Sequence, residues 1–151
     1  DLQESRITIA KNRSAENKKY LAMDAFDYLH QMNVKNQAVD LVSMLEFCEH
    51  FEDPFDLISK VAELDVSVIV IGTPLKQKLN SPFNDEQDVV HLWGFSKNSM
   101  VKLIEAAGFQ VIISNETYIG KYLKNDLNWL TIVAAKPEFV KNMKQSFNSN
   151  K

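Results

Sequence analysis

With one cysteine, Cys48, this chain cannot close a disulfide on itself, which suits a reducing, cytoplasmic setting. Its four glycines stand apart, at positions 72, 94, 108 and 120. None belongs to a cluster that could form the tight, phosphate-cradling turn of a dinucleotide-binding domain. The Tyr-x-x-x-Lys pair expected of an epimerase or dehydrogenase is also missing, because Lys121 follows Tyr118 one position too early. No apolar run approaches the length of a membrane span, and the longest, Val66–Ile71, is strand-sized and interrupted by Ser67. The first residues are acidic and polar, unlike a signal peptide. Net charge is only −3, and the lysines are scattered apart from a modest excess after Lys136. Neither a nucleic-acid face nor a membrane partner is expected.

What is present is an ordinary globular composition, 45% hydrophobic and 25% charged over 151 residues. That is enough for one domain burying about two-thirds of its unfolded surface. The patterning predicts a helix at Gln3–Asn12 in which Ile7 and Ala10 share a face. It predicts a short strand at Lys19–Met23, closed by Asp24-Ala25, and a helical turn at Asp27–Gln31. A β-rich apolar run at Val39–Leu45 reads as a strand covered on both faces. Asp53 can cap the next helix and Pro54 can occupy its first position at no hydrogen-bonding cost, so a helix follows at Pro54–Leu64. Val66–Ile71 is a second buried strand, ending at Gly72-Thr73-Pro74. A polar loop is expected at Lys76–Asp88. Ser96 caps a helix at Lys97–Ala107 and Gly108 ends it in a left-handed conformation. Strands at Phe109–Ser114 and Trp129–Ala135 form a hairpin-like antiparallel pair. The domain is expected to span residues 1–137, with a polar tail at 138–151. Alternating strands and helices imply an α/β fold with a mostly parallel sheet.

The segment VDLVSMLEFCEHFEDP, Val39–Pro54, places Glu46, Glu49 and His50 just past the carboxyl end of a strand, where open α/β sheets bind their ligands. It resembles the fourth-strand region of class I S-adenosylmethionine (SAM)-dependent methyltransferases, roughly D-[LIV]-[LIV]-x-x-x-x-[ALV]-x-E-H-[LV]-x-D-P, in Asp40, Glu49, His50, Phe51, Asp53 and Pro54. VIVIGTP, Val68–Pro74, resembles the family's fifth strand, although Glu63-Leu64-Asp65 stands where a K-P-G-G turn is usual. Asp88–Ile112 carries Asp88, His91, Phe95, Ser96, Met100, Ile104, Ala107, Gly108 and Phe109 in a third matching frame, with Ile104 a conservative departure. Asp1 to Glu4 with Ile9-Ala10-Lys11 resembles the family's segment after its second strand.

The resemblance implies a Rossmann-like sheet of order 3-2-1-4-5-7-6 with an antiparallel last strand, of which strands 1 and 2 are absent from this sequence. The chain then looks like the carboxyl-terminal part of a methyltransferase domain, lacking the glycine-rich loop that cradles the methionine end of SAM. Cofactor contacts are implied at Asp1, Leu2, Asp24, Ala25 and Glu46. His50, His91 and Glu49 are the candidate catalytic residues, because imidazoles can take a proton near neutral pH and Glu49 could orient His50. His91, Trp93 and Tyr118 are candidates for the acceptor pocket. The expected activity is methyl transfer to a small molecule such as a sugar, lipid precursor or other metabolite. The alternative is a non-catalytic fragment or partner subunit of the same fold. No metal is expected, because Glu46, Glu49, His50 and His91 lack a compact ligand spacing. Without strands 1 and 2, Val39–Leu45 would be an apolar edge open to self-association or to a missing N-terminal segment.

Overall fold

β-branched residues dominate Val66–Leu75, which forms the interior strand β2 of the sheet in the computed structural model. The structure describes residues 4–13, 17–75, 91–122 and 125–142. In chain order the elements are α1 (Glu4–Asn12), α2 (Ala25–Val34), β1 (Val39–Leu45), a 3-10 turn (Cys48–His50), α3 (Pro54–Ala62), β2, α4 (Lys97–Ala106), β3 (Gln110–Tyr122) and β4 (Asn125–Ala135). The sheet runs β1-β2-β4-β3. β1 pairs parallel with β2, from Val39↔Val66 to Leu45↔Gly72. β4 is antiparallel to both β2 and β3, so three strands share one direction and the last in sequence opposes them.

The core joins Ile69, Ile71, Leu130, Ile132 and Ala134 of the sheet to Leu57, Ile58 and Val61 of α3 and to Met100 and Ile104 of α4. Helix ends follow the residues expected of them. Asp53 Oδ1 accepts from the Phe55 and Asp56 amides at 2.9 and 3.0 Å. Ser96 forms a reciprocal capping box with Ser99. Gly108 has φ +92°, a left-handed conformation in which a side chain would be strained.

Three expectations are corrected. Lys19–Met23 forms no strand, since no described strand lies beside it to complete a hydrogen-bond ladder. The helical turn at Asp27–Gln31 is a ten-residue helix, because Asp24 is its N-cap and not a strand-closing residue. α1 is the helix expected at Gln3–Asn12, with its half-buried Ile7 and Ala10 on one face. β1 is not covered on both faces: Leu41 and Leu45 are 50% and 58% exposed at the edge of the described sheet. β3 and β4 also outrun their apolar stretches, because ladder bonds continue through polar positions as far as Tyr122↔Asn125. A register shift between Tyr118 and Gly120 accommodates the positive φ of Gly120.

Residues 137–142 are helical, and Val140 is buried. Lys136 joins this segment to the domain, its amide donating to the Ser67 carbonyl and its ammonium to that of Ala62. Among the described residues no helix is long and apolar enough to cross a membrane. The polar loop expected at Lys76–Asp88 lies outside the described residues.

Candidate functional site

The site begins where β1 stops. Glu46 takes a left-handed φ of +48° while its amide still donates to the Gly72 carbonyl at 2.8 Å, so the chain turns one residue past the strand with its pairing intact. The 3-10 turn that follows is held by His50 N–H to Phe47 O and Phe51 N–H to Cys48 O. It drives Cys48 and Glu49 inward, both fully buried, and leaves His50 half-buried. Cys48 Sγ lies 4.0 Å from Met44 Sδ. Burial, and then the neighbouring Glu49 charge, push its thiol up to about 12, so it is a protonated packing group and not a nucleophile.

Glu49 is the buried member of the cluster. Thr73, at the end of β2, donates its hydroxyl to Glu49 Oε2 at 3.1 Å. Glu49 Oε1 is buried without a hydrogen-bond partner among the described residues. The Glu49 carbonyl accepts two amides from across the chain, Leu92 at 2.8 Å and Trp93 at 3.1 Å. Trp93 Nε1 adds a bond to the Glu52 carbonyl at 3.1 Å, and Leu75 bridges to Phe95. These tethers carry His91 to His50, with ring centroids 4.8 Å apart and planes at 46°. One ligating atom from each of Glu49, His50 and His91 lies within 4.8 Å of the other two. A buried carboxylate beside two imidazoles can orient a ring, stabilise an imidazolium or share a cation.

No protein-family model matches the sequence, and no curated protein sequence matches it. Solved structures do match it. A SAM-dependent methyltransferase from Archaeoglobus fulgidus superposes with TM-score 0.65 at 19% identity, over 90% of this chain and 74% of its own. A second, from Methanosarcina mazei, gives 0.59 at 15% identity over 90% and 79%. The fold is that of the SAM-dependent methyltransferases. The [4+2]-cyclase SpnF shares it, with TM-score 0.62 at 12% identity over 87% of this chain and 61% of its own length, so the methyltransferase fold also houses other chemistry. This chain spans less than two-thirds of that cyclase.

On this methyltransferase fold the expected site residues are only partly brought together. Glu49, His50 and His91 come together, and Trp93 sits beside them, half-exposed with its ring stacked on Phe95 at 6.4 Å. Glu46 is exposed at the end of β1. Asp24 and Ala25 open α2: Asp24 Oδ1 accepts from the Phe26 amide at 2.8 Å and the Asp27 amide at 3.4 Å. Tyr118 is exposed on β3, at the same end of the sheet as Leu75 but with β4 between them. Asp1 and Leu2 lie outside the described residues. Thr73 was not singled out from sequence as a site residue. The available signal was a hydroxyl residue at the carboxyl end of an apolar strand, level with Glu46 on the neighbouring strand.

Proposed function

We propose that the chain belongs to an enzyme that transfers a methyl group from SAM to a small-molecule acceptor, such as a sugar, a lipid precursor or another metabolite. The observation that carries this reading is the convergence of Glu49, His50 and His91 past the carboxyl ends of β1 and β2, on a fold shared with SAM-dependent methyltransferases. The lone cysteine supports a cytoplasmic setting.

The residues suit the adenosine end of SAM. The α2 cap uses Oδ1 of Asp24, which leaves Oδ2 as an acceptor next to the Ala25 amide, one of the donors that a helix start leaves unpaired. An acceptor and a donor at adjacent positions complement the edge of an aminopurine. Glu46, exposed at the end of β1, would add a further polar contact in this reading. The methionine end has no counterpart in this sequence, whose four glycines are dispersed.

Bound SAM supplies an electrophilic methyl group on sulfur. The protein's own part is to hold the acceptor and manage its proton. A neutral imidazole of His50 or His91 accepts the proton of an acceptor hydroxyl or amine, and the Glu49 carboxylate stabilises the resulting imidazolium. Thr73 restrains the carboxylate by donating its hydroxyl to Oε2. Trp93, half-exposed and tied by its amide to the Glu49 carbonyl, is the candidate apolar contact for the acceptor.

The second reading is a non-catalytic methyltransferase-like fragment or partner subunit of the same fold. Calorimetric titration of SAM into a domain completed with the family's glycine-rich loop separates the two, with saturable binding expected for the enzyme and little binding by these 151 residues alone. Replacing His91 with Ala should lower S-adenosylhomocysteine release on a panel of sugar and lipid-precursor acceptors by about 100-fold or more, with SAM affinity nearly unchanged. Parallel loss of SAM affinity would move His91 into the cofactor pocket, and absence of SAM binding would favour the non-catalytic module.

A further inference from the structure

We infer that Glu49, His50 and His91 form a binding site for a divalent first-row transition-metal ion. Two features of the cluster point to a cation. The first is Glu49 itself: a fully buried carboxylate whose Oε2 is held by Thr73 and whose Oε1 has no hydrogen-bond partner among the described residues. Buried polar atoms are nearly always satisfied, so an orphaned carboxylate oxygen marks the place of something that binds there. The second is the geometry. Ligating atoms of all three residues lie within 4.8 Å of one another. Ligands about 2.1 Å from a shared ion are roughly 3–3.5 Å apart, so small side-chain rotations close the set.

The scaffold around the cluster is what an ion site requires. The 3-10 turn fixes Glu49 and His50, and the two amides bound to the Glu49 carbonyl fix the backbone next to His91. Thr73 orients the carboxylate from outside, the part an outer-shell hydrogen bond plays for a ligating side chain. Two imidazoles and one carboxylate favour zinc, manganese, iron(II) or cobalt over magnesium or calcium, which prefer oxygen ligands throughout. Three protein ligands leave coordination positions open to water or to an oxygen of a bound molecule. If the methyl-transfer reading holds, an acceptor hydroxyl bound at such a position would lose its proton more readily, and the imidazoles would hold the ion instead of the proton. Ion binding itself does not depend on that reading.

The test uses the tag-free full chain, dialysed against a chelator, with SAM binding measured separately so that loss of one property is not mistaken for loss of the other. Titration with zinc chloride should show a single ion per chain at micromolar or tighter affinity. Glu49→Gln keeps the shape of the side chain and should weaken binding by about 100-fold or more, beyond the effect of losing an outer-shell partner. His30→Ala, on an exposed residue of α2, should leave it unchanged. The chain has only three histidines, which gives a readout that needs no variant. Manganese(II) should broaden the ring resonances of His50 and His91 and spare those of His30. Absence of zinc binding, equal affinity in Glu49→Gln, magnesium binding as tight as zinc, or uniform broadening of all three histidines would each overturn the inference.

Discussion

Asp24 has two tasks that a single pair of substitutions can separate. Its Oδ1 caps α2 through the Phe26 and Asp27 amides, and its carboxylate is the proposed adenine contact. Of the two cap bonds, the 2.8 Å bond to Phe26 is strong and the 3.4 Å bond to Asp27 is marginal. Losing such a cap costs about 1 kcal/mol, whereas serine caps about as well as aspartate. α2 is also anchored by buried Leu29 and by Phe26 and Met32 against the core, so the loss unravels its first turn and not the helix. For a domain of this size about 1 kcal/mol corresponds to roughly 2–4 °C in Tm. Asp24→Ala should therefore melt about 2–4 °C below the parent, and Asp24→Ser close to it. Both remove the charge, and a hydrogen bond to a charged group contributes about 1.5–3 kcal/mol, so both should bind SAM roughly 10- to 150-fold more weakly. Calorimetric melting and SAM titration on the same samples of the completed domain read the two effects independently. Equal melting of the serine and alanine variants would refute the cap. Unchanged SAM affinity in both would refute the cofactor contact.

Two further outcomes follow from burial. Cys48, with its thiol raised from 9.0 to about 12, should resist an aromatic disulfide reagent at about pH 8 until the chain is unfolded in denaturant, and rapid labelling of the native protein would contradict its burial. The folded state keeps this proton while the unfolded thiol loses it, so stability should fall as pH rises from about 9 towards 12, by up to about 1.4 kcal/mol per unit, and Cys48→Ala should flatten that slope. On the edge strand, Leu41→Lys should shift light-scattering mass at high concentration towards the monomer with little change in Tm. A parent chain that is monomeric at every concentration would show that β1 pairs with no second copy.

Much of the fold was legible because it rests on local rules. Asp53-Pro54, Ser96 and Gly108 mark helix ends through hydrogen bonds and dihedral limits that span only a few residues. The apolar runs of β1 and β2 and the amphipathic face of α3 follow from periodicity. Where those signals were ambiguous, the reading failed. Lys19–Met23 has the composition of a strand, but a strand exists only if a neighbour accepts its ladder. Asp24 is compatible with closing a strand or opening a helix, and only the surrounding chain chose the cap.

The site divides along the same line. Glu49 and His50 were readable as groups just past a strand's carboxyl end, since strand length and the turn after it are written in adjacent residues. That His91 stands beside them, and that Glu49 Oε1 is buried with no donor among the described residues, are facts of three dimensions. They depend on Leu92 and Trp93 donating to the Glu49 carbonyl and on Thr73 arriving level with the carboxylate through the β1–β2 register. The sequence by itself determined which ionisable groups leave the end of β1. Tertiary structure alone decided which of them meet, because backbone pairing across more than forty residues has no local pattern, and it is that pairing which removes the water from Glu49.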